Sequence, residues 1–495
     1  MNNLMMLNFI FLSIFLFLFS ACIRVENPIK ENLQPDIYPD YKSVVIPPNI
    51  APLVFSVKNV KCIAADFIFE NKVLFHAVGK GSEGVEIPIK KWKTLLSKSV
   101  GSNFYVKVYT QNEDGIWKEY LPFEIAVAKD SIDAYVSYRL IKPGYEQLDL
   151  MGLYQRDITT FEEKTIIENS QLESKNNFGC VNCHSFRNYN ADSMLYHGRF
   201  VDAGTVFIQG ENATKINFTI EDIGKASYPY WHPNASFIAF SMNETRQVFH
   251  VFDESRITAF DYSSDLMIYD YRKNEVIIDT RFIGDDYYET FPSWSPDGKL
   301  LYFSRADYCG ALPENNDKMR YGIYRASFDV ETAKIGDVEC IVDEHFTKKS
   351  QPFARVSPNG NYLLYTECDY GTFPMSQKDS ELKMIDLQTK EPVDMAIVNS
   401  DEVEGYNAWS SNSRWIMFGS RRLDGMYSRI FFAYFDENGV AHKPFLMPQK
   451  TADFDLLRMK AYNVPEFSKN AVSRSKYQIK RIQAGEAKSI NVRYK

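Results

Sequence analysis

The sequence predicts an all-β protein, with an N-terminal immunoglobulin-like β-sandwich followed by a β-propeller of six blades. Three observations predict it. Short apolar runs broken by turn residues fill the first part of the chain. A Trp-Ser-Pro-Asp-Gly-like unit recurs through the second part. Its copies fall about 50–60 residues apart, a spacing that suits three or four strands per repeat.

The 495 residues carry a formal charge of −8, which argues against a nucleic-acid partner because that needs a basic footprint. Residues 1–21 hold an apolar run, Phe9 to Phe19, ending in Ser20-Ala21-Cys22. The run is short for a membrane span, and small residues before a cysteine mark a processing site. Phe19-Ser20-Ala21-Cys22 resembles a bacterial lipoprotein signal, which implies cleavage before Cys22 and lipidation of its thiol. The competing reading is a retained membrane-spanning anchor. Both put the body in the cell envelope of a Gram-negative bacterium. Ile23-Arg24 lacks the acid of inner-membrane retention, which points to the outer membrane. Residues 22–44, with Pro28, Pro35 and Pro39, read as a tether.

From 45 to 128 come Leu53–Val57, Cys62–Phe69, Val73–Val78, Phe104–Tyr109 and Pro122–Val127, strand-like runs at sandwich spacing. Trp92 and Trp117 read there as packing and hairpin residues.

Residues 129–450 are the propeller. Ser227–Ser241 returns as Phe291–Ser304, as Gln351–Thr366 and, more weakly, as Tyr406–Gly419. Each copy is a strand, a turn preset by Pro and Gly, and a second strand. The Trp294-Ser-Pro-Asp-Gly-Lys299 core resembles the TolB-like propeller family. No Gly-x-Ser-x-Gly elbow follows, so a propeller peptidase is disfavoured. A further copy, Asn190–Arg199, aligns without gaps on Pro296–Arg305, and Ala134–Leu140, Gly152–Arg156 and Lys164–Glu168 supply a sixth blade. Residues 451–495 read as an extension with one helix over 453–460 and a Lys/Arg-rich, mobile end.

Cys180-Val-Asn-Cys183-His184 stands where the innermost strand of the disguised blade should run. C-x-x-C-H is the attachment signature of a c-type haem: two thioethers to one porphyrin and an adjacent imidazole for the iron. A chance C-x-x-C, a redox dithiol and half a zinc site are the bland alternatives. Together with Gly152–Asp157, the motif looks like that of exported TolB-like lipoproteins with one cytochrome-c motif. That resemblance implies the fold and one covalent haem c, and it does not identify a substrate. The gapless alignment puts His197 at positions that hold Phe240, Phe303, Tyr365 and Phe418 elsewhere. His197 is therefore the favoured distal ligand over Met194, with Met151, His232 or an open site remaining. Cys62, Cys309, Cys340 and Cys368 are left, and sequence does not give their pairing.

Acidic loops precede the inner strands, with Asp222, Asp286, Glu289, Asp343, Asp401 and Glu404 among them. They are expected either to ring one mouth of the propeller and attract cations or a basic partner, or to be solvated turn residues. The first functional reading is a membrane-anchored monohaem cytochrome for electron transfer or redox sensing with an envelope partner. The second is a protein-binding scaffold whose haem is structural or regulatory. An enzyme is disfavoured because no acid–base set accompanies the motif.

Overall fold

The computed structural model describes residues 24–142, 151–172, 179–220, 224–249, 257–310 and 312–495. Residues 1–21, Cys22, Phe178 and Asp222 lie outside them. Among the described residues six antiparallel sheets form a six-bladed β-propeller, numbered here from the N-terminal side. Blade 2 is Gly179–Arg187, Asn190–Phe200, Gly204–Gln209 and Asn212–Ile216, from channel to rim. Blade 4 is Tyr287–Trp294, Leu300–Asp307, Gly322–Asp329 and Lys334–Val342. Blade 1 is discontinuous. Its three outer strands are Tyr135–Ile141, Gly152–Asp157 and Glu163–Glu168, and its inner strand is Ala461–Ser468. The propeller therefore runs past 450, and a strand from the presumed extension closes the ring.

The repeated residues have a shared task. Trp231, Trp294 and Trp409 each donate an indole N–H, at 3.2 Å, to an inner-strand carbonyl of the preceding blade, those of Ser185, Tyr230 and Arg355. One polar contact thus sets the rotation from blade to blade while the ring fills the apolar seam. In the turns, Asp297, Asn359 and Asn412 each accept from the Ser two residues earlier at 2.6 Å.

Five inner strands also carry one residue in the left-handed region, Cys183, Tyr228, Phe291, Tyr406 and Val464, and Phe353 holds the same conformation just before Arg355–Val356, with φ between 45° and 60°. The ladder register slips beside most of them, as in a β-bulge. Isolated non-glycine residues with positive φ invite a functional reading. Six at one structural position are instead part of the architecture.

Two regions differ from the sequence expectation. In place of two stacked sheets behind a tether, the N-terminal strands, Ile29–Lys30 of the expected tether among them, form one eight-stranded mixed sheet covered by a helix over Ile89–Ser99, and Ile37–Tyr38 pairs with Ser56–Val57 in a separate two-stranded ladder. Trp92, Leu95 and Leu96 are its buried stripe, at helical spacing inside a stretch otherwise patterned for strands. Trp92 meets Phe67 and Phe104 edge-on and donates to the Ile50 carbonyl at 3.0 Å. The C-terminal end is ordered. After a short turn of helix at Phe454–Leu457, the closing strand leads to a helix over Lys476–Gln483 with a Ser475/Gln478 capping box. Asn491–Tyr494 then adds a parallel strand to Glu275–Ile278, the outer strand of blade 3, whose other long strands are Gly224–Trp231, Phe237–Phe249 and Ile257–Asp270. Val472 and Ile479 are buried in the core shared by blades 1 and 2. The tail straps blades 1, 2 and 3 along their rims.

Candidate functional site

Cys180, Asn182, Cys183 and His184 all border one cavity of ≈ 1800 Å³. Its lining comes from the inner strands of the ring and from loops at both ends of the propeller, so it is the central channel. The inner strand of blade 2 delivers the whole motif to this wall because the bulge at Cys183-His184 interrupts strict alternation.

Cys180 is buried and Cys183 half-buried, and both are free thiols. The Arg139 guanidinium of blade 1 reaches Cys180 Sγ at 3.2 Å and Met151 Sδ at 3.5 Å. The His184 side chain is only 2 % exposed. Burial pushes its pKa down to about 4, against a hydrogen bond with the Ser137 backbone that favours the protonated ring. Its Nε2 has no hydrogen-bond partner. A carboxylate oxygen of Glu466, on the closing strand, stands 3.9 Å from that atom. Burial raises the Glu466 pKa to about 8, opposed by the Phe186 N–H that its Oε1 accepts at 2.9 Å and by Arg355. A buried nitrogen left unpaired costs about 1–3 kcal/mol. One ring nitrogen held by a backbone carbonyl and the other left bare is the arrangement of a metal-ligating histidine. The donor set thus fits a covalent haem: two free thiols three residues apart and a bare imidazole nitrogen on one channel wall.

His197 and Met194 are placed differently from the gapless alignment. Asn182 pairs with His197, as Ser227 pairs with Ser241, Thr290 with Ser304 and Gly405 with Gly419. His197 therefore belongs to a small, buried row, and Tyr196 takes the aromatic position of Phe240, Phe303 and Phe418. The slip arises at the hairpin. Asn188-Tyr189 form a two-residue turn with both φ positive, and a register shift follows at Phe186/Arg187. A one-residue slip moves a side chain to the other face of a sheet. His197 accordingly faces blade 3, with Nδ1 2.7 Å from Thr205 Oγ1 and its ring against Phe240. His184 faces Ser137 and Glu466 of blade 1. The structure does not bring the two imidazoles together. Met194, opposite Phe186, is buried with Leu153 and Ile166 between blades 1 and 2. His232 is a turn residue, accepting from the Asn234 and Ala235 N–H groups and bonded to the Gly298 carbonyl.

The acidic loops do not ring the channel among the described residues. Glu289 is buried against Arg305 at 2.9 Å, and Glu404 against Arg422 at 2.9 Å. Asp343 caps the short helix Glu344–Thr347, and Asp286 and Asp401 are exposed turn residues. None of these five borders the cavity; Glu402 and Asp424 do, beside Lys142, Arg199, Lys225 and Arg421. Cross-strand pairing claimed the buried carboxylates instead. Cys62, Cys309, Cys340 and Cys368 are free.

No protein-family model and no curated protein matches the chain. It is similar to the crystal structure of TolB from Acinetobacter baumannii at 12% identity, covering 77% of this chain and 85% of that one, with a TM-score of 0.42. It is also similar to oligogalacturonate lyase from Vibrio parahaemolyticus, at 12% identity over 61% of this chain and 92% of that one, TM-score 0.32. A third likeness is the tricorn protease, at 12% identity over 68% of this chain and 33% of that one, TM-score 0.28. The propeller stands on its own strand pairing.

Proposed function

We propose that this chain is a propeller scaffold of the cell envelope carrying one haem c on the wall of its channel. Cys180 and Cys183 would hold the macrocycle and His184 Nε2 the iron. The observation that carries the reading is the buried, unpartnered Nε2 beside two free thiols on the channel wall. Such a haem supplies one-electron chemistry or a site for a small axial ligand. The chain's own part is to fix the imidazole through Ser137, to hold the thiols on one wall, and to enclose the site between six blades. The lipid at Cys22 would tether the scaffold to the membrane, most simply the outer one. Among the described residues no helix is long and apolar enough to cross a membrane.

The test is a pyridine haemochrome spectrum, with haem staining after denaturing electrophoresis, on protein matured with a c-type haem assembly system. Stain that stays with the chain supports the reading. Unstained protein from cells that mature other cytochromes overturns it. Electron transfer is the second reading, favoured by Met375 and Met426, two residues that border the same cavity. A sulfur-to-iron charge-transfer band in the oxidised protein would select it; a site that binds carbon monoxide freely would select the regulated scaffold. Cys22→Ser should move the protein out of the membrane fraction, and unchanged partitioning would mean a retained span.

A further inference from the structure

The six left-handed positions of the inner strands differ sharply in what they carry. Tyr228, Phe291, Phe353 and Tyr406 form a continuous aromatic row, Phe291 stacked on Phe353 and each Tyr meeting its neighbour edge-on, with centroid spacings of 4.6, 4.0 and 5.2 Å. Phe373 closes over it, 6.4 Å from both Tyr228 and Phe291. Phe291 and Phe353, in the middle of the stack, are buried; Tyr228 and Tyr406, at its ends, are half-buried and border the cavity. The two remaining positions, Cys183 of blade 2 and Val464 of blade 1, carry no ring. Both are half-buried and both border the cavity.

The backbone does not ask for valine at 464. A β-branched side chain is poorly suited to the left-handed region, where Val464 has φ 45°. Four neighbours with the same conformation show that a ring is accommodated there. The small side chain therefore answers a need for space. Blades 1 and 2 are adjacent, so the two missing rings open one bay, bounded at its ends by Tyr228 and Tyr406. Cys183 and His184 are among the residues that border the cavity, with the buried His184 Nε2 turned toward Glu466 on the same strand as Val464.

We infer that the bay left by Val464 and Cys183 is the seat of the macrocycle, and that the aromatic stack walls it off from the rest of the channel. The inference rests on the haem reading of Cys180-Cys183-His184. It has a consequence for assembly: the covalent group hangs on blade 2, and its seat is completed by the closing strand of blade 1. Loading the haem and closing the ring then stabilise one another.

A double-mutant cycle tests this, with Val464→Phe combined with Cys180→Ala and Cys183→Ala. In the haem-free background Val464→Phe gives the bay the ring that four other blades carry, and Tm should stay level or rise. In the haem-loaded protein the same ring competes with the macrocycle. Tm should fall by several degrees, and the Soret band should shift. Val464→Leu, a smaller intrusion, should show the same signs with smaller amplitude if the Phe variant fails to fold. Equal Tm changes in both backgrounds with an unchanged Soret band overturn the inference while the haem reading stands. Wild-type protein without covalent haem overturns both.

Discussion

Blades 2 and 4 are built to one plan and loaded differently. Both are four-stranded meanders with a bulged, left-handed residue on the inner strand, and both accept an indole N–H from the next blade or give one to the last. Blade 4 fills the plan with the buried Phe291 at the left-handed position, Ser304 in the small row and a Glu289–Arg305 contact. Blade 2 puts Cys183, His197 and Gly198 in the corresponding places, with His184 where blade 4 has Pro292. The fold asks only for a bulge that tolerates φ > 0 and a residue of suitable size. The fold therefore does not demand the side chains that blade 2 carries, and its buried imidazoles each keep one nitrogen without a hydrogen bond.

The largest expected effect separates the two blades outright. Cys180→Ala with Cys183→Ala should abolish haem staining after denaturing electrophoresis while the propeller still melts cooperatively. Phe291→Ala in blade 4 should leave the stain intact and cost about 3–5 kcal/mol, measured by denaturant unfolding, because it empties the middle of the aromatic stack. Loss of stain from the blade 4 variant would mean that the two blades are not independent.

Next comes the strap, which packs on blades 1, 2 and 3 and reaches blade 4 through Lys495 Nζ, which donates to the Thr332 and Ala333 carbonyls of its outer hairpin. Ile479→Ala should cost about 2–4 kcal/mol, since Ile479 is fully buried. A cost near zero would restore the mobile tail that composition suggests. Truncation before Ala461 should prevent cooperative folding altogether, because blade 1 loses its inner strand.

A smaller effect concerns the register. His197→Ser places in blade 2 the residue that Ser241 and Ser304 supply elsewhere. The haem spectrum should not change, because His197 faces Phe240 and Thr205. Conversion to a high-spin, carbon-monoxide-accessible iron would show that His197 reaches the metal. His197→Phe should instead overpack the small row, at about 1–3 kcal/mol.

The smallest effect is one of pH, and its sign differs between the blades. Burial and the nearby Arg199 push the His197 pKa well below its usual value. The unfolded chain then binds the extra proton first, so this stability is lost as pH falls below about 6.5. In blade 4, burial pushes Glu289 up to about 7, with Arg305 opposing. The native state there holds a proton that the unfolded chain releases, so stability is lost as pH rises from about 4.5 toward 7. Tm against pH should flatten on the acid side in His197→Ser and across the 4.5–7 window in Glu289→Gln. A shared direction for both variants would refute the assignment.

Strand-turn-strand repeats are local, and Pro, Gly, Asn and Asp in the turns have local reasons, so the propeller and the place of C-x-x-C-H in it are legible from residue order alone. The same holds for the Trp of each copy as a repeat marker. Its hydrogen bond to the preceding blade is not, because the acceptor lies about a blade away in the chain. The Ile89–Ser99 helix was legible in principle from the spacing of Trp92, Leu95 and Leu96. Three relations required the tertiary structure. The register of Asn190–Phe200 depends on a two-residue turn and a bulge, and a single extra residue flips every side chain. The closing strand pairs residues more than three hundred positions apart, for example Tyr135 with Ser468, and composition carries no sign of that partner. The bay exists only because Val464 and Cys183, from opposite ends of the propeller sequence, become neighbours when the ring closes. Local propensity decides what each strand is; long-range pairing decides which side chains share a wall.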